Sequence, residues 1–181
     1  IKELLAMDLP DSLRRKLKGK IDEIRWDELR EKELLPYIEE VDPVSARRIL
    51  FTVRMNILTS IAVKILKRDP LTISDKVFLN EMNIIEEDHK EMLFAIINKQ
   101  HELLRDLYDV SIPEIEKIIE SALSAGAKAA KISGAGLGGC IIAFTDKKNI
   151  RAVTKACIDA GARRVWHVHV DAGAKIEHTD I

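Results

Sequence analysis

Glycine is spread so unevenly along this chain that it divides the fold in two. Of the eight glycines, Gly19 alone precedes Gly126, and four crowd into residues 134–139. Glycine weakens helices and takes positive φ without steric cost. The long stretch before Gly126 is therefore free to be helical, and tight backbone reversals belong to the last third. The densest point is Lys131-Ile132-Ser133-Gly134-Ala135-Gly136-Leu137-Gly138-Gly139-Cys140, followed by the apolar run Ile141-Ile142-Ala143-Phe144. Successive N–H groups in such a loop can line a concave nest suited to phosphate oxygens.

The helical reading has its own signals. Residues 1–41 are amphipathic, with a break near Gly19. Asp42-Pro43 reads as an N-cap followed by proline at the first helical position. Leu50, Val53, Ile57, Leu58, Ile61, Ile65 and Leu66 then recur at helical spacing up to Asp69-Pro70. A second long helix, with room for a kink, is expected from Ser74 to Leu107. Ser111-Ile112-Pro113-Glu114 has the form of a capping box, opening a helix that Gly126 stops.

The period then shortens. Ala129 to Ser133 and Cys140 to Phe144 read as strands on either side of the glycine loop. Asp146 is placed to cap a helix that contains Val153 and Cys157 and ends at Gly161. Val165 to Val170 reads as a third strand, Asp171 to Gly173 as a turn, and Lys175 to Glu177 as a returning strand. Helices first and strands last predict an α+β fold.

Composition excludes several function classes. At 181 residues, with 46% hydrophobic and 33% charged side chains, the chain can bury a core. A net charge of −1, with both signs interleaved, gives no footprint for nucleic acid. No uninterrupted apolar run reaches the roughly 18 residues of a membrane span, and no secretory leader is visible. The two cysteines, Cys140 and Cys157, make no disulfide framework. These features lead us to expect a cytoplasmic protein, and a chain that begins at Ile1 is expected to be a fragment or a processed product.

Several motifs fail on their context. Gly134, Gly136 and Gly139 match G-x-G-x-x-G, but a strand rather than a helix follows. Gly134 and Gly139 have P-loop spacing, yet Cys140 stands where that loop needs lysine. His101-Glu102-Leu103-Leu104-Arg105 lacks the second histidine of a zinc helix. His167, His169 and Asp171 share one face of the expected strand, which reads as a solvated face rather than a metal site. Cys140, in an apolar run, is expected to be a buried, inert thiol.

Three segments, in order, resemble the C-terminal half of the GHMP kinases. They are Asn98-x-x-His101-x-Leu103-Leu104, then Val110-Ser111-Ile112-Pro113-Glu114-Ile115, then Lys131-Ile132-Ser133-Gly134-Ala135-Gly136-x-Gly138-Gly139-Cys140. The resemblance is firm over residues 96–144. It implies a ferredoxin-like antiparallel sheet with packed helices over 43–181, and a helical extension or linker over 1–42 from an N-terminal domain. It also implies that Ser133, Gly134, Ala135, Gly136, Leu137, Gly138 and Gly139 line a cleft for ATP phosphates and substrate, with ATP and Mg2+ as cofactors.

The family's nucleotide loop and catalytic aspartate belong to its N-terminal domain. No catalytic residue and no metal ligand is therefore expected here, and this chain alone is expected to be inactive. The implied partners are a small alcohol or sugar, an N-terminal kinase half in cis or in trans, and a possible second copy. The loop looks more like that of mevalonate kinases. Leu104-Arg105-Asp106-x-Tyr108-x-Val110-Ser111 looks more like galactokinases. The reading of another class is a non-catalytic binding or interaction module. If Gly136 and Gly138 both hold positive φ beside phosphate, valine at either should cost turnover far more than folding.

Overall fold

A computed structural model of the chain describes residues 1–20, 23–26, 28–170 and 173. Three short helices come first: α1 (Lys2–Ala6), α2 (Asp11–Leu17) and α3 (Glu31–Ile38). They pack Leu4, Leu13, Leu17, Leu29 and Leu34, all nearly or fully buried, against Ile49 and Val53 of α4 (Pro43–Lys67). Each fully buried leucine contributes about 2 kcal/mol. The Asp42 carboxylate caps α4 by accepting from the Ser45 N–H at 2.9 Å, as its sequence predicts. The helix ends at Lys67, where Arg68 turns left-handed with φ of 62°.

α4 is long and apolar enough, by length and composition, to cross a membrane. In this fold it is a shared core helix. Ile49 and Val53 serve the first core, while Leu58, Ile61 and Ile65 serve a second one. Its mid-helix Arg54 is held bidentately by Glu31 at 2.8 and 2.5 Å.

The expected long helix from Ser74 to Leu107 is two helices, α5 (Ile73–Glu81) and α6 (His89–Asp106). The break is built from local backbone bonds. Asn83 takes φ of 58°, and the Ile84 N–H closes back on Leu79 O at 2.8 Å. Asparagine tolerates this left-handed cap position. Asp88 then restarts the helix by accepting from the N–H groups of Lys90 and Glu91 at 2.9 and 3.0 Å.

α5 opens on a reciprocal cap between Thr72 and Asp75, and Asp75 also takes Lys64 Nζ at 2.7 Å. Burial by itself would raise the Asp75 carboxyl, but Lys64 and Thr72 override it and hold it below its usual 3.8. A carboxyl depressed in the folded state stabilises above its ordinary pKa. That contribution is lost as pH falls through the lower folded value. Asp75→Asn should therefore be less stable than wild type in urea at pH 7, with the gap shrinking progressively as pH falls below about 4. A gap that stays constant across that range would contradict this account.

α7 (Pro113–Ser124), β1 (Ala127–Ser133), β2 (Cys140–Thr145) and α8 (Ile150–Asp159) complete the described elements, with one 3-10 turn at Lys147–Asn149. β1 and β2 are antiparallel, with Ser133 opposite Cys140 and Ile132 opposite Ile141. Ala130 and Ile132 pack with Ile141 and Ala143 against Ile115 and Ile119 of α7. Val153 and Cys157 bring α8 onto Ala122 and Ala127. The class is α+β and helix-rich, with an antiparallel sheet of two strands among the described residues.

Two expectations need correction here. Val165 to Val170 forms no strand pairing among the described residues. Val165 joins the α7–α8 cluster, but Trp166, Val168 and Val170 are 67, 79 and 98% exposed, so no apolar face is buried to fix a register. Cys140 is exposed rather than buried, because the β2 face that carries it with Ile142 and Phe144 is only partly covered, Phe94 of α6 reaching Phe144 alone; Cys157 is the buried thiol, and burial pushes its pKa up. A thiol-specific reagent should label Cys140 at least about tenfold faster than Cys157, and equal rates would count against this placement. The turn expected at Asp171 to Gly173 and the returning strand at Lys175 to Glu177 lie outside the described residues, Gly173 apart.

Candidate phosphate-binding loop

The loop between β1 and β2 has an anchored side and an open side. Gly134, Gly136, Gly138 and Gly139 have φ of 99, 86, 127 and 87°, and Leu137 between them is left-handed at 56°. Such a run of positive φ folds the backbone into a tight, curled arch. The Leu137 N–H donates to Val110 O at 2.7 Å. A Cβ added at Gly136 would lie 2.5 Å from Val110 Cβ and 2.7 Å from Val110 O. Glycine is therefore required at 136 by contact as well as by φ.

Gly134, Gly138 and Gly139 face open space, with nothing within 4 Å of an added Cβ. Among the described residues, Leu137 is the one member of 134–139 whose N–H donates to the protein itself. The N–H groups of Gly134, Ala135, Gly136, Gly138 and Gly139 remain for an outside acceptor. Leu137 keeps its place in the loop, but its N–H is occupied and its side chain is 68% exposed. Ser133 ends β1 opposite Cys140, half-buried, with its side chain on the face shared with Cys140 and Ile142. The expectation for valine thus splits in two: at Gly136 it strikes the fold first, and at Gly138 it strikes the open side.

Lys131 leads into this loop. Its Nζ reaches Gln100 Oε1 at 3.3 Å, and no carboxylate pairs with it among the described residues. Burial pushes its pKa down. A cation without a counter-ion, two residues before Ser133, suits an anionic guest.

The other motif residues hold the loop from behind. Asn98 on α6 reads the free edge of β1: its Nδ2 donates to Lys128 O at 3.1 Å and its Oδ1 accepts from the Ala130 N–H at 3.0 Å. His101, 4% exposed, meets Glu116 Oε1 through Nε2 at 2.9 Å, while Arg105 Nη1 donates to Glu116 Oε2 at 3.3 Å. Ser111 does not cap α7 as its pattern suggested. Ile112 is the N-cap, without a side-chain bond, and the Ser111 hydroxyl donates to Glu116 instead. Burial by itself would raise the Glu116 carboxyl, but Ser111, His101 and Arg105 override it and hold it below its usual 4.5. Glu116 and Arg48 were not marked by any motif. Arg48 pins the turn after α6, donating to Leu107 O at 2.7 Å and to Asp109 Oδ2 at 3.3 Å, with its guanidinium 4.6 Å from the Tyr108 ring centroid.

The described residues contain no group of three His, Cys, Asp or Glu placed to hold a metal ion. The donor set of the loop fits phosphate oxygens and does not fit Mg2+. His167 Nε2 lies 2.8 Å from the Thr154 hydroxyl.

Comparisons with known proteins concern the same stretch of chain. Residues 82–163, from the end of α5 to just past α8, match the family described as GHMP kinases C terminal. A galactokinase of Streptomyces coelicolor is 33% identical over 98 residues, covering 51% of this chain and 25% of that protein. A mevalonate kinase of Pyrococcus furiosus is 35% identical over 95 residues, covering 52% and 28%. A mevalonate kinase of Aeropyrum pernix is 29% identical over 104 residues, covering 58% and 32%. The matched segment spans about a quarter to a third of the length of these relatives. The segment that resembles the C-terminal part of GHMP kinases contains the glycine loop.

Proposed function

We propose that this chain is the C-terminal part of an ATP-dependent kinase that transfers a γ-phosphoryl group to a hydroxyl of a small molecule, with mevalonate as the acceptor. The observation that carries the reading is the loop itself, where five N–H groups lack acceptors among the described residues, three of them at glycines that face open space, beside the uncompensated Lys131. ATP supplies the phosphoryl group. Backbone donors aimed at that group stabilise charge as it develops, and they need no reorganisation to do so. The side chain of Ser133 adds a hydroxyl at the loop entrance. Residues 43–181 are the domain on this reading, and 1–42 is the piece leading from an N-terminal half that brings the catalytic base and the Mg2+ ligands. The complex works in the cytoplasm.

The Ser-Gly-Ala-Gly-x-Gly-Gly-Cys form of the loop favours mevalonate. Galactose is the second reading, supported by the Leu104-to-Ser111 pattern and by relatives named galactokinase. The test combines the chain with its N-terminal half and follows ADP release with mevalonate and with galactose. Release with mevalonate alone supports the proposal, and release with galactose alone replaces the acceptor. ATP that neither turns over nor shifts the amide resonances of residues 134–139 would mean a non-catalytic module with a kinase-like fold.

A further inference from the structure

The glycine loop is seated on Val110, which takes the Leu137 N–H and abuts Gly136. Val110 lies in the turn between α6 and α7, so whatever fixes that turn fixes the loop. Arg48 holds the α6 side of the turn through Leu107 O and Asp109. On the α7 side the work falls to one carboxylate. Glu116 gathers His101 and Arg105 from α6 and Ser111 from the turn itself. His101 Nδ1 is buried without a partner among the described residues, so the polar attachment of that ring there runs through Glu116. The Val110 N–H is tied to Leu104 O at 3.2 Å, and Ser111, which follows it directly, carries the bond to Glu116 on the carbonyl side, the side that faces Leu137.

We infer that Glu116 is a positioning residue for the glycine loop, acting through Ser111 and Val110 to fix the N–H groups on the open side. The seating of the loop stands by itself, and its consequence for phosphate rests on the function proposed above. Glu116 touches no substrate on this account. A carboxylate that only braced α6 against α7 would affect all neighbouring amides together. One that seats the loop affects Leu137 selectively.

The test uses the whole chain, labelled with 15N, as wild type, Glu116→Gln and Ser111→Ala. Amide exchange is followed residue by residue, and tripolyphosphate is titrated as the probe. Each substitution should speed exchange at Leu137 by at least about tenfold while the ladder amides of β1 and β2 change less than about twofold, a local rather than a global opening. Tripolyphosphate affinity should fall at least about fivefold with the same variants, the scale of one lost preorganising contact. Leu137 moving only in step with the ladder amides, or not at all, overturns the inference. Should Glu116→Gln fail to fold, Ser111→Ala decides alone, since it removes one hydroxyl and no core side chain. Wild-type protein that ignores tripolyphosphate sinks the phosphate reading, and Leu137 exchange still decides the positioning.

Discussion

Gly136→Val should lower Tm by roughly 10 °C, while Gly138→Val lowers it by only about 3 °C and removes most of the loop's affinity for phosphate. At 136 two penalties add. Valine at φ of 86° is strained, and its Cβ would sit 2.5 Å from Val110 Cβ, in a contact that includes backbone. Strain of about 1–3 kcal/mol and overpacking of about 1–3 kcal/mol together give on the order of 4 kcal/mol. At about 2–4 °C per kcal/mol for a chain of this size, that is the larger shift. At 138 nothing lies within 4 Å, so the loop can relax away from its φ of 127° and forfeit mainly its curvature. Calorimetry on both variants, with tripolyphosphate titration beside it, separates the two. Equal losses of stability and affinity at both positions would remove the distinction between an anchored and an open side.

Asn98→Ala should cost about 2 kcal/mol, equivalent to roughly 4–8 °C in Tm, although it deletes a small and partly exposed side chain. The size comes from what is left behind. Ala130 is 1% exposed, and its N–H has the Asn98 amide as acceptor. Truncation orphans a buried donor and also strips Lys128 O of its partner. Asn98→Asp should fall between the two, since a carboxylate still accepts from Ala130 but cannot donate to Lys128 O. Calorimetry checks the order, and an Asn98→Ala variant within 1 °C of wild type would show that water replaces the amide at no cost.

The glycine loop was legible in the sequence because positive φ leaves a compositional trace, and helices α4, α7 and α8 were legible because burial imposes a period. What the loop rests on was not. The Val110 carbonyl and the Arg48 guanidinium act across 27 and 59 residues of chain, from Val110 to Leu137 and from Arg48 to Leu107, and no local pattern encodes such pairings. Ser111 misled because Ser-x-Pro-Glu satisfies the form of a cap. A carboxylate two residues beyond Glu114, Glu116, competed for the hydroxyl and won. Cys140 misled because an apolar strand was read as buried on both sides, whereas only the Ile141 and Ala143 side has α7 to cover it. The split between α5 and α6 turned on Asn83, whose tolerance of the left-handed cap the helical reading of this stretch passed over.

Asn98 has a consequence beyond stability. Among the described residues the sheet has two strands, and the margin of a sheet offers an unfinished row of donors and acceptors to an extended chain. The side-chain amide of Asn98, one donor and one acceptor in the geometry of a peptide group, stands on the outer margin of β1 as a counterfeit strand one residue long. It leaves less of that margin open to a stranger. A single side chain thus removes one donor and one acceptor of β1 from the row that a second chain could pair with.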